Sequence, residues 1–95
     1  SQRTAAASKV LIGQTESALG DAHELLSQVR DALVAAGNAS YTDAERAIQA
    51  NKIQGLREQL LQVANRSDGA GSYLFGGQGS NQPPFVDTPS GVVFR

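Results

Sequence analysis

Between Leu11 and Ala36 the apolar residues fall into rows with seven-residue spacing. Leu11, Ala18, Leu25 and Ala32 form the first row, and Ile12, Leu19, Leu26 and Leu33 the second. Thr15, Ala22, Val29 and Ala36 form the third, in which Thr15 is the one polar member. This is the period of a helix, whereas a strand turns a new face every second residue. At ~100° per residue the rows cover a stripe of about 100°, wider than the seam between two helices. The spacing predicts a helix from near Ala5 to Ala36, about 45 Å long, that touches more than one partner.

Gly37-Asn38 is expected to stop this helix by taking the left-handed conformation of a C-cap. Thr42-Asp43-Ala44-Glu45 then matches a capping box, in which a Thr hydroxyl and a Glu carboxylate satisfy backbone N–H groups at a helix start. A second helix is predicted from about Asp43 to Asn65. Its main inward residues are Ile48, Leu56, Leu60 and Val63, flanked by Ala47, Ile53, Leu61 and Ala64. A connection this short makes the pair an antiparallel hairpin.

After Asn65 the composition changes to Gly, Ser, Asn, Pro and aromatics, which reads as turns and short strands over about 72–95. Phe85-Val86-Asp87 and Val92-Val93-Phe94 flank Thr88-Pro89-Ser90-Gly91. That tetrapeptide suits a type I turn closing a β-hairpin with a bulge. The fold class is mainly α: a long helical hairpin, a Gly-rich turn and a short β-hairpin, all within one domain.

A chain of 95 residues without cysteine has no disulfide, and its single His leaves no Cys/His set for a structural metal. So small a core sits near balance against chain entropy, so the chain is expected to lean on something else. Eight basic and nine acidic residues are scattered singly, unlike the clustered basic face that binds nucleic acid. No apolar run approaches the ~20 residues of a membrane span. The chain opens on Ser1 without an initiator Met, which suggests an internal fragment and makes the missing secretory signal uninformative.

No motif survives as catalytic or cofactor-binding. Gly69, Gly71, Gly76, Gly77 and Gly79 follow a helix and precede Pro83-Pro84, whereas a phosphate loop lies between a strand and a helix and continues into Lys-Ser/Thr. Gly76-Gly77-Gln78-Gly79 fits the GxxG clamp of RNA modules in form but lacks its two helices and basic company. His23-Glu24 begins like HExxH, but Ser27 stands where the second His belongs. The serines have no candidate base besides His23. Asn38-Ala39-Ser40 and Asn65-Arg66-Ser67 match the glycosylation sequon, yet both fall where helix ends are expected. Gly13, Gly20 and Ser27 line up about 100° from the second apolar row; either they admit a close neighbour or they are tolerated surface residues.

The run Leu56-Arg57-Glu58-Gln59-Leu60-Leu61 and then Ala64-Asn65-Arg66-Ser67-Asp68-Gly69-Ala70-Gly71-Ser72-Tyr73-Leu74-Phe75-Gly76-Gly77 resembles the flagellin-related hook-associated protein 3 family. The resemblance extends upstream through Ala35-Ala36-Gly37-Asn38 and Thr42-Asp43-Ala44-Glu45-Arg46, and downstream to Pro83-Pro84-Phe85. Flagellin usually continues into a Phe-Asn-Gly type sequence at this point, and Tyr73-Leu74-Phe75-Gly76 favours the junction proteins.

The resemblance implies a structural subunit exported to the bacterial flagellum, where a ring of copies joins hook to filament. It implies no catalysis, no cofactor, and contacts with a hook-side junction protein, flagellin and copies of itself; an export chaperone is a further partner that this route allows. The family core is a bundle of long helices with a β-hairpin, completed by a helix from the far C-terminal part. The 95 residues are expected to cover part of that core, without that helix, the N-terminal polymerisation segment or a complete outer domain. The expected packing face is Leu11, Ile12, Leu19, Leu25, Leu26, Val29, Leu33, Ile48, Leu56, Leu60 and Val63. Tyr73-Leu74-Phe75 is expected to cross the bundle end as an extended segment with one or two rings buried. A flagellin-type filament subunit and a non-flagellar coiled-coil binding module are the alternatives.

Overall fold

The computed structural model describes residues 2–67, 72–76 and 82–94. In chain order these form α1 (Gln2–Ala36), α2 (Asp43–Ala64), β1 (Phe85–Thr88) and β2 (Gly91–Phe94). The two helices are an antiparallel hairpin, and the strands pair antiparallel beside α2. The molecule measures 61 × 26 × 14 Å, an elongated shape set by α1. That helix starts three residues before Ala5, since Gln2, Arg3 and Ala5-Ala6-Ala7 are all good helix formers.

Its C-terminal end differs from expectation. Gly37 N–H donates to Leu33 O at 3.1 Å and Val34 O at 3.2 Å, and Asn38 N–H to Ala35 O at 3.1 Å. Among the described residues the only positive φ belongs to Gly91, so neither Gly37 nor Asn38 is left-handed. The last turn tightens instead, and three-residue bonds satisfy its carbonyls. Asn38 then builds the connection: its Oδ1 accepts from Ser40 N–H at 2.9 Å and its carbonyl from Tyr41 N–H at 3.0 Å.

The capping box forms as its residues dictate. Thr42 Oγ1 accepts from Glu45 N–H, and Glu45 Oε1 accepts from Thr42 N–H, each at 3.1 Å. Helix α2 ends at Ala64 with Asn65 as its C-cap. The core between the helices is Ala18 and Leu25 of α1 against Leu56 and Val63 of α2. Ala22, Val29, Leu60, Leu74 and Phe75 pack around it half-buried.

Ile48 does not join this core; it is 63% exposed. Leu56 and Val63 set the inward direction of α2, and Gln49, seven residues before Leu56, is half-buried. Ile48 lies eight residues before Leu56, which turns it about 80° away from that line.

In the β-hairpin Phe85 faces Phe94, Val86 Val93, Asp87 Val92 and Thr88 Gly91. This ladder is continuous, so the expected bulge is absent. Pro89 and Ser90 alone make the reversal, and Gly91 absorbs it with φ +121°, a conformation that other residues resist. Thr88 Oγ1 donates to Gly91 O at 2.6 Å across the turn. Only Tyr73 is extended, in an antiparallel bridge with Ser67 beside which Leu74 N–H donates to Arg66 O at 2.9 Å; Leu74-Phe75 then turn, and Gly76 N–H donates to Tyr73 O at 3.2 Å. All three side chains are half-buried. The backbone roles expected of Gly69, Gly71 and Gly77 lie outside the described residues.

Candidate assembly face

The apolar stripe of α1 is divided between two uses. Ala18, Leu25 and Ala32 of the first row are buried at 0, 9 and 2% exposure. The second row is open throughout: Ile12, Leu19, Leu26 and Leu33 are exposed by 58, 56, 55 and 57%. Thr15, Ala22, Val29 and Ala36 lie between the two and are half-buried. Side-chain size explains which row α2 takes. Two alanines in the first row let the helix axes approach, whereas the second row carries a large residue at every position. What remains is a continuous apolar ridge about 32 Å long.

The β-hairpin is held beside this ridge by two clamps. The side chain of Asn65 acts as a peptide group toward Phe85, its Nδ2 donating to Phe85 O and its Oδ1 accepting from Phe85 N–H, both at 2.8 Å. Arg57 donates to both oxygens of Asp87 at 2.8 and 2.7 Å, the fork geometry that makes such pairs specific. The hydrogen bonds from Arg57 hold the Asp87 carboxyl below its ordinary value, against a smaller opposing effect of desolvation. The same contacts raise Arg57 above its own.

Hairpin and helices together line an open apolar trough of about 470 Å³, with Leu19, Ala22, Leu60, Phe75, Phe85 and Val92 among its walls. The other side of the α1–α2 seam is polar. There Asp21, Glu24, Gln59 and Gln62 border a second trough, and Arg66 spans it to Asp21 at 2.8 Å. Among the described residues nothing outside the local helix backbone comes within 4 Å of where a Cβ would stand at Gly13 or Gly20.

Of the residues expected to form the packing face, Leu25, Leu56 and Val63 are buried and Val29 and Leu60 half-buried. Leu11 joins the second row in solvent at 47% exposure; α2 has 22 residues against 35 in α1 and does not run far enough to cover it. Sequence reasoning missed Arg57, Asn65 and Asp87. Among the described residues no three His, Cys, Asp or Glu side chains gather to hold a metal, and no helix is long and apolar enough to cross a membrane.

The architecture is a helical hairpin with one apolar row of α1 uncovered and a β-hairpin clamped alongside. Residues 1–80 match the family model described as the bacterial flagellin N-terminal helical region, and the chain belongs to that family. It is 36% identical over 89 residues to flagellar hook-associated protein 3 of Salmonella typhimurium, covering 94% of this chain and 27% of the relative. It is 40% identical over 85 residues to the protein of that name from Escherichia coli, covering 90% of this chain and 26% of the relative. The chain therefore spans about a quarter of the length of these relatives. The crystal structure of Xanthomonas campestris FlgL superposes with a TM-score of 0.90 at 28% identity, over 97% of this chain and 30% of that one.

Proposed function

We propose that this chain is part of the helical core of a flagellar hook–filament junction subunit, and that it works by packing against other helices and subunits without catalysing a reaction. The observation that carries this is the uncovered second row. A heptad series of large apolar side chains, each more than half exposed, is the seat of a further helix. The hook-associated names of its relatives support the flagellar setting. In this reading residues 1–95 belong to one flagellin-like domain, and the chain is secreted by flagellar export. Its partners are a hook-side junction protein, flagellin and further copies arranged in a ring, with an export chaperone en route.

Immunogold electron microscopy of intact flagella, with antibody against this segment and a detergent-opened control, tests the proposal. Label confined to the hook–filament boundary supports it. Label along the filament makes the chain a flagellin-type subunit, and label confined to the cell interior removes it from the flagellum.

A further inference from the structure

We propose that β2 is an inner strand in the intact protein: the segment that follows Arg95 runs antiparallel along its free edge as a third strand. A two-residue turn fixes which backbone groups of a hairpin point where. Thr88 and Gly91, flanking Pro89-Ser90, exchange both of their hydrogen bonds, and so do Val86 and Val93 two residues further on. The N–H and C=O groups of the alternate residues therefore point outward, Phe85 and Asp87 from β1 and Val92 and Phe94 from β2. On the β1 side the side-chain amide of Asn65 takes both outward groups of Phe85 at 2.8 Å. Arg57 closes the same edge at the Asp87 carboxylate. No described residue does the same for Val92 or Phe94.

An edge that stays free is blunted by charge, by proline or by a bulge, because open N–H and C=O groups recruit other chains. Strand β2 has none of these. Gly91-Val92-Val93-Phe94 carries no charge, and its ladder is continuous. Both of its faces are apolar: Val92 joins Phe85 in lining the trough, and Val93 turns the other way. The three apolar residues are 42, 46 and 63% exposed. The rings of Phe85 and Phe94, tilted with centroids 5.4 Å apart, keep β2 in register to its end.

The longer protein supplies the occupant. This chain spans about a quarter of the length of its relatives. Consecutive strands pair more often than not, and an antiparallel neighbour needs only a short connection. A strand on the same chain also competes at an effective concentration of about a millimolar, which a second copy or another protein does not match. With a third strand the sheet passes the size at which strands hold together without outside support.

Amide hydrogen exchange on the intact longer protein, read at single residues, tests this. Val86 and Val93 report the hairpin, and Val92 and Phe94 report the third strand. All four should be slowed about a hundredfold or more, equally at about 1 and about 100 µM protein. Val92→Pro removes one outward N–H and no β1–β2 bond, so it should speed exchange at Phe94 and leave Val86 and Val93 slow. Rapid exchange at Val92 and Phe94 in the unaltered protein overturns the proposal. So does protection that appears only at the higher concentration, which marks a second copy. Protection of Phe94 that survives Val92→Pro marks a covering helix or loop and overturns it too. Each of these outcomes leaves the junction reading intact, since that depends on where the gold label falls.

Discussion

Replacing Asn65 by Ala should loosen the β-hairpin on the helices, leaving only the Arg57–Asp87 clamp. The Asn65 side chain holds Phe85 by two hydrogen bonds of 2.8 Å, both part-buried. Each such bond contributes about 1 kcal/mol net, and a two-stranded hairpin has little stability of its own. Asn65→Ala should therefore cost about 2 kcal/mol, lowering Tm by roughly 8–16 °C in a domain of this size. Asn65→Asp is the informative companion. It keeps the acceptor for Phe85 N–H but sets a second oxygen against Phe85 O, so it retains at most half of the interaction. Urea denaturation reads the global loss, and amide hydrogen exchange reads the Phe85 N–H directly. A loss under 0.5 kcal/mol together with unchanged protection at Phe85 would refute the clamp.

Leu56→Ala should cost about 2–5 kcal/mol by opening a cavity in the Ala18–Leu25–Val63 cluster, measured by the same urea titration. Thr42→Ala removes one half of the capping box and should cost about 1 kcal/mol, with fraying confined to the first turn of α2 in hydrogen exchange. Gly91→Ala forces a side chain into φ +121° and should destabilise the hairpin by about 1–3 kcal/mol, seen as lost protection at Val86 and Val93. The Arg57–Asp87 clamp should loosen in acid. Asp87 is depressed in the folded state, so its contribution is present above the ordinary value of 3.8 and is lost as pH falls through the lower folded value. Asp87→Asn should abolish that acid dependence in the chemical shifts of β1, and its persistence in the variant would assign it to another group.

Features that depend on neighbours in sequence were legible before any coordinates. Thr42 and Glu45 are three apart and form their capping box by local geometry alone. The turn at Pro89-Ser90 likewise lies where its residue types put it. The helical stripe showed that α1 has more apolar surface than one helix can cover. Which row α2 takes was harder to read, because it follows from the size of Ala18 and Ala32 rather than from hydrophobicity. The phase of α2 decided the fate of Ile48: once Leu56 and Val63 point inward, a residue eight positions earlier cannot. Arg57 and Asp87 are 30 residues apart and Asn65 and Phe85 are 20 apart. No periodicity links such partners, so the clamps that position the hairpin left no mark in the pattern. Gly37 misled for a different reason. A glycine after a helix permits the left-handed cap but does not require it, and here three-residue bonds end the helix without it.

The central claim is that the second row of α1 is an assembly face rather than part of this chain's own core. Leu26→Asp, introduced into the corresponding longer hook-associated protein in its native host, tests that most directly, with filament attachment scored by electron microscopy and secreted protein measured in the medium. Leu26 is 55% exposed beside the α1–α2 pair, so a carboxylate there costs that pair little, while burial in an apolar seam against a further helix would cost several kcal/mol. The account predicts that the variant protein is exported in normal amounts and that filaments fail to stay attached to hooks. Normal filaments on normal hooks would contradict it.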